Sequence, residues 1–179
     1  MKMMIAGVCL GLAMGANATI ITESECNNNV TKAGSIVAGV TPWSNTGVMT
    51  LASNGRDVDF FSIVLNQGQT LTVTATPLTT LFTTPDTYLG ILDSVQAIVA
   101  SNDNSFGNGS TVFYQAPADG TYYIAVTGSS DTNFDGYVNG STGHGKVGAY
   151  QLTVSLVPEP ATMALMGLMG IGLLARRKK

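Results

Sequence analysis

The segment TLTVTAT, residues 70–76, alternates strictly between apolar and hydroxyl-bearing side chains. Leu71, Val73 and Ala75 take one side and four threonines the other, the two-residue period of a strand with one face buried. The segment YQLTVSL, residues 150–156, repeats the pattern, with Tyr150, Leu152, Val154 and Leu156 facing in. The same reading predicts strands over 59–65, 88–92, 97–100, 111–115 and 122–127, separated by turn signals such as Asn66-Gln67-Gly68, Ala118-Asp119-Gly120 and Asn54-Gly55. Thr, Val, Tyr and Gly are abundant here, whereas Lys, Glu and Arg, the usual helix-surface residues, are scarce. Short strands at this spacing imply an all-β sandwich of one domain, with about 140 residues to bury a core. The threonines of 70–76 read as an ordinary solvent-facing strand surface, because one strand is not an array.

Both ends differ from this middle. Residues 1–18, MKMMIAGVCLGLAMGANA, carry one cation, Lys2, then an apolar run and Ala16-Asn17-Ala18, the small-x-small pattern at which signal peptidase cuts. Residues 157–179, VPEPATMALMGLMGIGLLARRKK, place a Pro158-Glu159-Pro160 triplet before an uncharged run and close on Arg176, Arg177, Lys178 and Lys179. The prolines stop regular structure from continuing, and the four cations read as a cytoplasmic membrane stop. About fifteen apolar residues at ~1.5 Å each span ~22 Å, so snorkelling of the cations or local thinning has to complete a ~30 Å crossing. The division expected is therefore a signal peptide over 1–18, a sandwich over 19–157 and a sorting tail over 158–179, with both termini cytoplasmic before processing.

The tail resembles the PEP-CTERM sorting signal of exopolysaccharide-producing Gram-negative bacteria, with triplet, apolar helix and basic cluster in order. That resemblance implies a transient inner-membrane anchor, processing by a membrane-embedded exosortase, and delivery to the cell surface or extracellular matrix. Between the two processed ends, three basic residues face ten acidic ones, a net charge of −7. Such a domain is a poor partner for nucleic acid or anionic lipid and a better one for divalent cations. Cys9 leaves with the signal peptide, so Cys26 stands alone; the expectation is a partly buried thiol, with a disulfide between chains as the alternative.

Several segments carry a second resemblance: ESECNN followed by Lys32-Ala33, then DVDFFSIVLNQGQTLTVT (57–74), TYLGILD (87–93), ASND (100–103), APADGTYYIAVTG (116–128) and GAYQLTV (148–154). They follow the order of bacterial pre-peptidase C-terminal domains, which implies a jelly-roll-like β-sandwich that is noncatalytic in itself. Glu23, Glu25, Asn27 and Asn28 look like the arm that wraps calcium in the related collagen-binding domains of clostridial collagenases, with Asp59 and Asp57 completing the ligand set. Asn28 and Cys26 stand where those relatives carry Asp and Pro. Oxygen donors of this kind suit calcium, a hard cation tolerant of irregular geometry.

A weaker metal candidate is Asp131, Asn133 and Asp135 before Gly136, a D-x-N-x-D-G stretch resembling the start of an EF-hand-type loop. Thr142 stands where the bidentate Glu belongs, and an Asx-turn loop explains the segment equally well. Gly140 to Lys146 fits G-x-x-x-x-G-K, but Val147 replaces the hydroxyl that holds magnesium and a strand follows in place of the helix. His144 is the single histidine and no serine lies in a nucleophile elbow, so no catalytic residue is assigned. Paired carboxylates keep a secreted hydrolase as a third reading. The first is a noncatalytic matrix component associated with exopolysaccharide. The second is a glycan- or protein-recognition module using exposed aromatics such as Trp43, Tyr88, Tyr114, Tyr123 or Tyr137.

Overall fold

In the computed structural model, residues 21–23, 26–52, 55–80 and 83–158 are described. The signal peptide, Glu25, Glu159, Pro160 and the apolar and basic parts of the tail lie outside the described residues; Pro158 is buried at the end of the last strand. Among the described residues eleven strands form: β1 Gly34–Ile36, β2 Trp43–Leu51, β3 Asp59–Leu65, β4 Thr70–Pro77, β5 Thr87–Leu92, β6 Ile98–Asp103, β7 Ser110–Gln115, β8 Gly120–Gly128, β9 Tyr137–Val138, β10 Thr142–Gly143 and β11 Gly148–Val157. A five-stranded sheet runs β1-β3-β8-β5-β6, a four-stranded sheet runs β2-β11-β4-β7, and β9 pairs with β10 in a small hairpin. All pairings are antiparallel except β1 with β3. The fold is the all-β sandwich that the strand pattern predicts, jelly-roll-like as the resemblance implies.

Alternation explains which face each strand buries. Leu71, Val73 and Ala75 of β4 and Tyr150, Leu152, Val154 and Leu156 of β11 are almost wholly buried and meet Phe61, Ile63, Ile124 and Val126 of the opposite sheet in one core. A second, smaller cluster of Val58, Phe60, Leu92, Ala125 and Phe134 roofs the outer face of the five-stranded sheet. There Phe134 adopts φ 58 and lays its ring on Tyr88, centroids 5.2 Å apart, over the bare backbone of Gly90.

Two expectations change, and four strands, β1, β2, β9 and β10, lie outside the predicted set. The nine-residue β2 escapes the pattern because its inward row includes Asn45 and Gly47 while Val48 points outward, inverting the polarity that marks a strand. Trp43, expected as an exposed platform, is buried in the main core. Cys26, expected to be partly buried, is free and exposed, with φ 86 in the arm before β1.

Candidate metal centre

Asp57 and Asp59 continue the core-facing row of β3 past Phe61, so alternation carries two carboxylates to the end of the sandwich almost wholly out of solvent, 1% and 0% exposed. Glu23 arrives from the N-terminal arm, and one oxygen each from Glu23, Asp57 and Asp59 lies within 4.8 Å of the others. Around them the free edge of β2 turns its backbone donors inward. Thr50 N–H donates to Glu23 Oε2 at 2.8 Å and Ala52 N–H to Asp57 Oδ2 at 2.7 Å. From near the start of β11 the buried Tyr150 hydroxyl donates to Asp59 Oδ2 at 2.7 Å.

These donors leave Asp59 Oδ1 and Glu23 Oε1 buried without a partner, and Asn27 Oδ1 nearby is in the same condition. Asn27 is itself 2% exposed and tied to β3: its Nδ2 donates to the Phe60 carbonyl at 3.4 Å, and Phe60 N–H donates to the Asn27 carbonyl at 3.1 Å. Two carboxylate oxygens facing each other out of water need either a proton or a cation between them. Burial, then the hydrogen bond and charge of Glu23, raise Asp59 from 3.8 to about 10, against the lowering effect of the Tyr150 hydroxyl. Burial first, and then Asp59, hold the Tyr150 hydroxyl well above its ordinary range. An oxygen-only set of three acids with orphaned buried lone pairs fits a hard cation such as calcium.

The other sequence candidates sit elsewhere. Asn28 is exposed and lines a cleft of about 380 Å³ with Phe60, Phe134 and Asp135, a cleft that none of Glu23, Asp57 and Asp59 lines. Asp131 is fully buried, but its oxygens already accept from Thr127 Oγ1 at 2.8 Å, Gly136 N–H at 2.8 Å and Asp135 N–H at 3.2 Å. Asp135 accepts from Asn133 Nδ2 and from Tyr137 N–H. This loop spends its carboxylates on its own donors, which is Asx-turn chemistry. Asp86 lies with Ser129 and Lys146. His144 is buried; Lys146 N–H donates to its Nδ1 at 3.0 Å, which leaves Nε2–H to donate to the Asp57 carbonyl at 3.0 Å. Sequence reasoning missed Tyr150 as a site residue, and the edge donors of Thr50 and Ala52, because nothing in a strand pattern says what its end faces.

Residues 57–128 match the family model of the bacterial pre-peptidase C-terminal domain, and residues 156–179 match the PEP-CTERM protein-sorting motif. A probable subtilase-type serine protease of Deinococcus radiodurans is 33% identical over 72 residues, 40% of this chain and 10% of that protein, so the chain spans about a tenth of the curated relative's length. Among solved structures, the Aeromonas hydrophila PliG, a periplasmic inhibitor of g-type lysozyme, superposes with a TM-score of 0.50 at 18% identity, covering 69% of this chain and 95% of that one. The pre-peptidase C-terminal domain of a Bacillus anthracis collagenase gives 0.43 at 15% identity, covering 69% and 93%. The likeness to PliG is one of fold alone.

Proposed function

We propose that this chain, an exported protein with a pre-peptidase C-terminal-type sandwich and a PEP-CTERM sorting tail, serves outside the cell as a noncatalytic matrix component that calcium rigidifies and that associates with exopolysaccharide. Export and exosortase processing follow from the sorting motif. The observation that carries the cation is the cluster of half-buried Glu23 with buried Asp57 and Asp59, in which Glu23 Oε1 and Asp59 Oδ1 are out of water and unpartnered. Calcium there would replace the proton between Glu23 and Asp59, take Asn27 Oδ1 as a further oxygen, and pin the arm to β3 and β2. Glu25 is proposed as an additional ligand from the same arm.

The noncatalytic reading is supported by what the polar groups do. His144 uses both ring nitrogens on backbone partners, and the Asp131 loop is closed on itself. The aromatics named as a recognition surface are engaged too: Tyr88 on Phe134, Tyr114 on Tyr122, and Tyr137 beneath the Arg56 guanidinium, 5.0 Å from its ring centroid. This favours a broad contact surface over a single aromatic pocket.

The test is co-sedimentation of the purified protein with the producing cell's own extracellular polysaccharide, in millimolar calcium and again with chelator. Retention in calcium that is lost with chelator and in Glu23→Gln is the expected result. No retention in either condition would end the polysaccharide reading.

A further inference from the structure

We infer that the outer face of the four-stranded sheet is a docking surface for an uncharged polysaccharide; this names the site and the partner's charge class for the association proposed above and rests on it. Strands β2, β11, β4 and β7 turn sixteen side chains outward, of which ten are Ser or Thr and none is charged. The pairing register aligns them into rows across the sheet. One row is Thr46, Thr153, Thr74 and Thr111, threonine on all four strands; the next is Ser44, Ser155, Thr72 and Phe113. Hydroxyls pair sideways within rows, Ser44 with Ser155 at 2.8 Å, Thr46 with Thr153 at 3.2 Å and Thr74 with Thr111 at 3.2 Å. Each still has a lone pair to offer outward. Strands lie about 4.8 Å apart and same-face residues recur about every 6.8 Å along them, so the face is a repeating hydroxyl grid.

Three further observations select the occupant. The exposed aromatics of the sheet's edge are not the predicted tyrosines but Phe113, 71% exposed and level with the second row, and Phe106, 94% exposed in the turn before β7. A flat ring beside a hydroxyl row suits the CH face and the hydroxyls of a pyranose. The other sheet's outer face is roofed by Phe60, Leu92 and Phe134, whereas no described hydrophobic cluster covers this one. Finally, a segment of net charge −7 with no cation on this face repels polyanions, while its acids lie on loops, strand ends and the other sheet. An uncharged, repeating, hydroxyl-bearing chain is the partner that meets all three.

The experiment uses the full chain in mild detergent, sedimented with an insoluble uncharged β-glucan, with a polyuronate, and alone by sedimentation velocity. Wild type is expected to be retained on the glucan and not on the polyuronate. Thr153→Lys at the centre of the grid is expected to lower retention tenfold or more, and Phe113→Ser at the edge, where folding is not at stake, several-fold. Thr121→Lys on the outer face of the other sheet should change nothing. Equal retention of the variants would overturn the face while leaving polysaccharide association standing. Retention of wild type on the polyuronate alone, or a dimer that Thr153→Lys dissociates, would overturn the uncharged-glycan assignment. No retention of wild type on any polysaccharide, the producer's own included, would remove both this inference and the reading beneath it.

Discussion

Replacing Asp59 by Asn should stabilise the cation-free protein, the reverse of what removing a buried acid from a salt bridge does. In the unfolded chain Asp59 ionises near 3.8, whereas in the fold it holds its proton to about 10. Between those values the native state binds one proton more than the unfolded state, so stability is full below the lower value and falls as pH rises, by about 1.4 kcal/mol per unit. At pH 7 the accumulated loss is about 4 kcal/mol as an upper bound, or about 10 °C in Tm for a domain of this size. Asparagine escapes it, since its Oδ1 can accept from the Tyr150 hydroxyl and its Nδ2 can donate to the orphaned Glu23 Oε1. Thermal melts in chelator from pH 5 to pH 8 should show wild type weakening steadily and Asp59→Asn nearly flat and higher. In calcium the order should close up, because wild type at a hundredfold excess over Kd regains about 2.7 kcal/mol and the variant does not. A wild-type curve that is flat with pH, or a variant no more stable than wild type in chelator, would refute the account of the trio.

Two other substitutions test the fold around it. In Gly90→Ala the new methyl would collide with the Phe134 ring, so urea unfolding should register a loss of about 1–3 kcal/mol and broken Tyr88–Phe134 stacking; unchanged stability would mean the loop repacks freely. Lys146→Met removes the ion pair to Asp86, 3.3 Å apart with both side chains partly in solvent, and should cost less than about 1 kcal/mol while raising further the Asp103 carboxyl, already raised by burial and by Asp86. A larger loss would show the pair to be structural.

Much of the sandwich was legible because burial of one strand face imposes a two-residue period. Residues 59–65 and 70–76 were read within a residue of β3 and β4. The longest of the four strands outside the predicted set, β2, places Asn45 and Gly47 inward, and those positions make sense only once their neighbours are known. Asn45 Oδ1 accepts from Thr46 N–H, and Gly47 leaves room for the Ile21 carbonyl of the arm. The candidate metal residues were nameable by resemblance, but their common location was not a property of spacing: Glu23 lies 34 positions before Asp57, and Tyr150 lies 91 after Asp59.

The local chemistry of the chain determined its strands, its acidity, the sorting tail and the kind of donor available to a cation, because each depends on a few adjacent side chains. Tertiary structure alone decided which acids share a buried space, which aromatics face water, and that threonines from four separate strands fall into register. Those outcomes depend on strand order and pairing, and a one-residue shift in register would turn the hydroxyl grid into the core and the core into the surface.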